Sequence, residues 1–289
     1  MPCFAGKKES MIFIKLLGGL GNQMFQYALG RHLSLIRKVP LKLDLTTLLD
    51  RTPRPNWIFR DYDLDIFNLK VEFASAEEIS AFNRIYPNNQ AKLFHRIELL
   101  LNGHHIRDYS PRFNPKVFRA KTDPLYLEGY WQSELYFKEI GESLRKDLEF
   151  RYPLNSECQE IAKHILSVNS VAVQFRRTDY VSMKSSRELL GSLDMEYYER
   201  AMKFIAEKIK DPYFFIFSDE EEWVRENLKT TYPHFIFPLK YSGKKFEHKF
   251  HLATLCKHHI IANSSWGWWG AWLSQHKGKI IIAPQRWLI

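Results

Sequence analysis

The stretch Ile12-Phe-Ile-Lys-Leu-Leu-Gly-Gly-Leu-Gly-Asn22 joins an apolar run to a glycine-rich loop. A helical pattern follows from Gln23 to about Arg37, and a second apolar segment, Leu41–Leu45, begins after Pro40. Strand, glycine loop, helix and strand in that order open an α/β sheet whose parallel strands are linked by helices.

The same alternation returns more cleanly in the second half. Strands are expected at Val171–Phe175, Tyr213–Phe217, Phe235–Phe237, His259–Ala262 and Lys279–Ala283. Helices are expected at Ser156–Leu166, Met195–Lys210, Glu220–Lys229, Phe246–Lys257 and Trp266–Gln275. Strands separated by helical patterns of this length build βαβ units and a parallel sheet. Between the halves, 50–68 reads as irregular, Ser75-Ala-Glu-Glu78 as a capping box, 84–101 as a helix pair, and Leu125–Trp131 as a strand. The Pro153 region marks a boundary, giving two α/β domains at 1–152 and 153–289.

Composition narrows the class. The chain has 289 residues, 45% of them hydrophobic, with only 13 Gly and 13 Pro, which excludes a disordered or collagen-like protein. Cys3, Cys158 and Cys256 are far apart and form no CxxC pair, which points to free thiols in a reducing compartment. The run 11–17 is too short for a signal-peptide core, and the uncharged run His258–His276 carries Asn263, Ser264, Ser265 and two glycines. A membrane span needs about 20 mainly apolar residues, so the expectation is a cytoplasmic protein. The net charge of +9 favours anionic partners, among them nucleotide phosphates and an anionic inner membrane leaflet. The basic residues are scattered rather than striped, so nucleic acid is not expected as a partner.

In open α/β sheets, ligands gather outside the carboxyl ends of the strands. Arg176 and Arg177 follow the strand ending at Phe175, and a guanidinium fork holds phosphoryl oxygens without losing its charge. Asp179 stands two residues on, as a base or as a carboxylate orienting an arginine. Asp219 follows Tyr213–Phe217, either capping the next helix or contacting a nucleotide. Asn263, Ser264 and Ser265 precede a helix, where backbone N–H groups and hydroxyls suit an anion, and Gly267 and Gly270 would permit close packing. In the first glycine loop, Gly19 and Gly21 allow close backbone approach, and Asn22 and Gln23 could reach a hydroxyl or phosphate. No HExxH, P-loop or His/Cys ligand set is present, and no metal site is expected. Asp61-Tyr-Asp63 has the spacing of a metal-holding pair but lies in a loop away from the other signals.

Taken together, Gly18-Gly-Leu-Gly-Asn-Gln-Met-Phe-Gln-Tyr-Ala28, Gln174-Phe-Arg-Arg-Thr-Asp179, Phe215-Ile-Phe-Ser-Asp219, Cys256-Lys-His-His-Ile-Ile-Ala-Asn-Ser-Ser265 and Trp268-Trp-Gly-Ala271 resemble the bacterial α-1,2-fucosyltransferases of glycosyltransferase family 11. Glu128-Gly-Tyr-Trp-Gln-Ser133 resembles a further segment of that family. The resemblance implies a GT-B-like fold of two Rossmann-like domains facing a cleft. It implies an inverting enzyme that uses GDP-β-L-fucose without a metal or other cofactor, with a galactose-terminated oligosaccharide as acceptor. The first domain would meet the acceptor, and the second would bind the donor. Asp179, Arg177, Asn22 and Glu128 become candidate catalytic residues. Arg176, Arg177, Asp219, Asn263, Ser264, Ser265, Gly19, Gly21 and Gln23 become candidate donor contacts. The chain departs from the family pattern at Gln174, where His is usual, and at Trp266-Gly267, where Phe-Ser is commoner. It departs again at Glu247-His-Lys249, where an acid is expected before Cys256. Gln does not exchange a proton near neutrality, so only a hydrogen-bonding role survives at 174.

Overall fold

A computed structural model of the chain describes residues 10–54, 58–80, 82, 105–121, 123–178 and 191–287. The expected helix pair at 84–101, Cys3 and Asp179 lie outside the described residues. Two compact units are present, Met1–Arg151 and Tyr152–Ile289.

Among the described residues, the first unit holds five strands: β1 (Ile12–Lys15), β2 (Leu41–Asp44), β3 (Glu72–Phe73), β4 (His105–Asp108) and β5 (Leu125–Gly129). Their order is β3-β2-β1-β5-β4, and every neighbouring pair is parallel. The central strand β1 is apolar and buried at Ile12, Phe13 and Ile14, as a strand covered on both faces requires. Helix α1 (Leu20–Arg37) links β1 to β2 and packs closely on both. A Cβ at Gly30 would lie 2.7 Å from Leu41 Cδ1, so glycine there lets the helix approach the sheet. The helix stops at Lys38, whose left-handed backbone (φ 56°) lets its N–H reach the Ser34 carbonyl. Buried Gln26 ties the strand ends together: it accepts from the Leu17 N–H (2.9 Å) and donates to the Gly129 carbonyl (2.9 Å).

The capping box forms as expected. Glu78 accepts from the Ser75 N–H at 2.8 Å, and the Glu78 N–H donates to Ser75 Oγ at 3.2 Å. The 50–68 stretch is mostly irregular, yet it buries Leu64, Ile66 and Phe67, and Phe67 pairs with Phe150.

The second unit repeats the plan with β6 (Asn169–Phe175), β7 (Pro212–Ser218), β8 (His234–Ile236), β9 (His258–Ile260) and β10 (Ile281–Ile282) in the order β10-β9-β6-β7-β8, all parallel. Period-two alternation sends Val171, Val173 and Phe175 of β6 to one face. There they pack with Tyr198, Met202 and Ile205, which lie on the helix Met195–Lys208. Ala172 of β6, with Phe215 and Phe217 of β7, meets the helices Ser156–Ser167 and Glu247–Leu255 on the other face. Cys158 and Cys256 are buried free thiols in that second cluster. The result is an α/β fold built on two parallel five-stranded sheets.

Candidate functional site

The chain runs from β6 outward through β7 to β8 and then returns to β9 on the other side of β6. That reversal falls at the carboxyl ends of β6 and β9, and such switch points are where open α/β sheets bind ligands. Four expected residues from two separate segments lie at those ends: Arg176 and Arg177 after β6, and Ser264 and Ser265 after β9.

Asp219, just past β7, organises the arginine loop. Its carboxylate accepts from the backbone N–H groups of Arg177 (3.0 Å) and Thr178 (3.2 Å) and pairs with Arg176 Nη1 at 3.0 Å. It does not cap the following helix, Glu221–Asn227, whose N-cap position is Glu220. Arg177 donates from Nε to Glu220 (3.0 Å), and its guanidinium carbon stands 3.4 Å from the centre of the Trp223 ring. Trp223 was not singled out from the sequence. Its only signal is its position four residues after Asp219, and a ring beneath a guanidinium is invisible without the fold.

Helix α2 (Ser265–Leu273) starts directly after Asn263 and Ser264. The opening turn of a helix carries N–H groups that lack intrahelical partners and the positive end of its dipole. Ser264, at the N-cap, makes no side-chain cap bond; its Oγ instead accepts from Gln174 Nε2 at 3.2 Å. Gln174 Oε1 is buried with no hydrogen-bond partner among the described residues. A Cβ at Gly267 would sit 2.0 Å from that oxygen, so glycine is needed for close packing here. Gly270 is different: its nearest neighbours, Ala253 and Phe250, lie 4.0 Å from a built Cβ, so the fold leaves room for one and the expected close approach is not required there.

Lys249, on the helix Glu247–Leu255, is buried, and its Nζ has no hydrogen-bond partner among the described residues. Burial pulls its pKa down, against the opposing field of Glu221. It stands in the Glu247-His-Lys249 segment, where the family pattern expects an acid.

The first sheet has its own reversal. The chain runs from β1 out through β2 to β3, and β5 then lies against the other side of β1. Gly18 (φ +73°) turns the loop after β1, and Gly19 is the N-cap of α1. Gly19 has room for a side chain, its nearest neighbour being Arg60 at 3.9 Å, whereas Gly21 is buried in the first turn.

Gln23 requires a correction. It is 0% exposed, donates to the carbonyls of Gly18 (2.9 Å) and Asp61 (2.8 Å), and accepts from the Asp63 N–H (2.9 Å). Both amide donors are thus engaged within the protein, so Gln23 braces the loop rather than offering itself to a ligand. Asn22 accepts from Gln132 Nε2 at 2.7 Å. Asp61 pairs with Arg51.

Glu128, at the end of β5, sits among two cations, a histidine and a tyrosine. Arg107 Nη2 lies 3.1 Å away, His105 Nε2 3.3 Å and Lys15 Nζ 3.8 Å, and the Tyr109 hydroxyl donates to it at 2.6 Å. Burial alone would raise its pKa, but His105, Tyr109, Lys15 and Arg107 together hold it at about 2. A carboxylate held that low is a poor general base, which counts against Glu128 in that role. Among the described residues, no three His, Cys, Asp or Glu side chains gather as a metal site would require, and no helix is long and apolar enough to cross a membrane.

The two parallel α/β sheets make the fold GT-B-like. The NodZ α-1,6-fucosyltransferase crystallised with GDP shares the fold, with a TM-score of 0.52 at 12% identity over 91% of this chain and 92% of that one. Residues 82–288 match the model of glycosyl transferase family 11, and the chain belongs to that family. An α-1,2-colitosyltransferase of Escherichia coli is 32% identical over 96% of this chain and 92% of its own length. The O-antigen biosynthesis glycosyltransferase WbnK of Escherichia coli is 28% identical over 94% and 93%.

Proposed function

We propose that this enzyme transfers L-fucose from GDP-β-L-fucose to the 2-hydroxyl of a terminal galactose, with inversion, during assembly of a surface polysaccharide such as O-antigen. The observation that carries this reading is the arginine pair at the end of β6, beside the helix start at Ser265 and braced by Asp219.

In the displacement, the acceptor oxygen bonds to the sugar C1 as the C1–O bond to the diphosphate breaks. The bonding electrons pass to the leaving phosphate, and the acceptor proton passes to a base, for which Asp179 is the candidate. Arg176, Arg177 and the first turn of α2 supply fixed positive charge where negative charge grows, the task a metal performs in other transferases. Asn263, Ser264 and Ser265 complete the diphosphate contacts. The net charge of +9 supports peripheral contact with an anionic inner leaflet, where lipid-linked acceptors reside. Co-sedimentation with anionic vesicles tests that contact, and its absence would remove it from the reading.

The colitosyltransferase relative favours a second transferred sugar, colitose, to be tested as its GDP-sugar. Transfer from each GDP-sugar to lactose and N-acetyllactosamine in EDTA, with NMR of the product linkage, separates the two. An α-1,2-fucoside upholds the first reading. Transfer of colitose alone upholds the second, and a strict metal requirement would contradict the proposed charge stabilisation.

A further inference from the structure

Neighbouring strands β4 and β5 end in register, with Asp108 opposite Gly129, and each is followed at once by a tyrosine. Tyr109 and Tyr130 stand with ring centroids 5.8 Å apart at 72°, and remain 48% and 38% exposed. Exposed aromatic pairs are uncommon features to leave in water, and here the surrounding structure holds this one in place. Tyr109 is anchored through its hydroxyl to Glu128 Oε1 at 2.6 Å. Gly129 allows the two strand ends to meet, because a Cβ there would lie 1.9 Å from the Asp108 carbonyl oxygen. Trp131 fills the core beneath with a left-handed backbone (φ 57°), and its buried indole N–H has no hydrogen-bond partner among the described residues.

Beside the rings, the half-exposed guanidinium of Arg107 pairs with Glu128 at 3.1 Å. A pyranose ring presents an apolar C–H face and a rim of hydroxyls. Aromatic faces match the first, and a charged donor beside a charged acceptor matches the second. Lys15, at the end of β1, brings the same group to the reversal point of the first sheet.

We propose that Tyr109 and Tyr130, rimmed by Arg107 and Glu128, form a pyranoside-binding platform that receives the acceptor glycan. This assignment rests on the transferase reading above and adds to it the residues that recognise the acceptor. The ring of Tyr130 contributes the stacking face. Tyr109 contributes a second ring whose orientation Glu128 fixes, so Glu128 acts here as a positioning residue.

Binding and transfer are read separately, on the full chain. Saturation-transfer NMR with lactose and GDP measures glycan binding, steady-state transfer measures KM and kcat, and calorimetry measures GDP affinity. Tyr130→Ala is expected to raise the lactose KM at least tenfold, with kcat within threefold and GDP affinity within twofold. Tyr109→Phe, which keeps the ring and loses the anchor, should fall between wild type and Tyr109→Ala. Near-UV circular dichroism establishes that each variant is folded. Folded Tyr130→Ala with unchanged lactose KM and saturation transfer would overturn the platform and leave the transferase reading standing. Absence of lactose binding by the wild type would also overturn it. Loss of lactose binding in Tyr130→Ala, with a wild type that transfers no fucose, would uphold the platform and reject the donor assignment instead.

Discussion

Gln174 and Gly267 occupy one shared space: a single methyl group on residue 267 would stand 2.0 Å from Gln174 Oε1. Two of the places at which the chain departs from its family's usual motifs are therefore in contact. Overpacking of this kind costs about 1–3 kcal/mol. Gly267→Ala is expected to lose about 2 kcal/mol of stability by urea unfolding, and Gln174→Ala to recover most of that loss in the double variant. Simple additivity of the two changes would show that they are not coupled.

Asp219 holds the arginine loop through three contacts, so its loss should disorder the proposed diphosphate site rather than the core. Asp219→Ala is expected to weaken GDP binding about tenfold, or roughly 1.4 kcal/mol, and Asp219→Asn less, since one acceptor oxygen remains. Calorimetric titration checks this, and equal affinity in all three proteins would show that the brace is not needed.

Trp223 lies against the guanidinium of Arg177, a contact worth on the order of 1–2 kcal/mol when partly desolvated. Trp223→Leu should weaken GDP binding several-fold, whereas Trp223→Phe should keep most of it. A leucine variant that binds as wild type would separate Trp223 from the site.

Acid should destabilise the protein well before its carboxylates protonate. Burial holds the pKa of His258 at about 4 and of His259 at about 3, and the His258 ring nitrogen Nδ1 accepts from the Ile280 N–H at 3.0 Å. Unfolded histidines take up protons near pH 6.5, while these folded ones do not until far lower, so the unfolded chain binds more protons in between. Stability is then full above pH 6.5 and falls as pH drops through the folded values, by up to about 1.4 kcal/mol per pH unit for each histidine. Glu128, at about 2, extends the loss below its ordinary range. Urea midpoints at pH 7.5, 6 and 5 should fall in that order, and a flat series would contradict neutral buried histidines.

Much of this architecture is legible in the chain because doubly covered strands are continuous apolar runs: Ile12–Ile14, Val171–Val173 and Phe214–Phe217 stand out against polar surroundings. Strand β3, Glu72–Phe73, has two exposed residues and leaves no such mark. Strand β4, His105-Ile-Arg-Asp108, is an edge strand whose His105 and Arg107 meet Glu128, and it shows no apolar run. Arg176 and Arg177 were visible as charges ending an apolar strand. The partners that hold Arg177, namely Glu220 and Trp223, come from the next unit of the fold's alternation and gain meaning only in space. Gln23 shows the opposite error. An amide beside a glycine loop looks available for a ligand, yet the segment at Asp61 and Asp63, 38 and 40 residues away, consumes its hydrogen bonds.

The central claim is a GDP-sugar site at the carboxyl ends of β6 and β9. It is tested most directly by titrating GDP into the purified protein in EDTA and repeating the titration with Arg177→Ala. Saturable binding by the wild type, weakened at least tenfold in the variant, is the expected result. Absence of binding by the wild type, or equal affinity in both proteins, would contradict a diphosphate site at this loop.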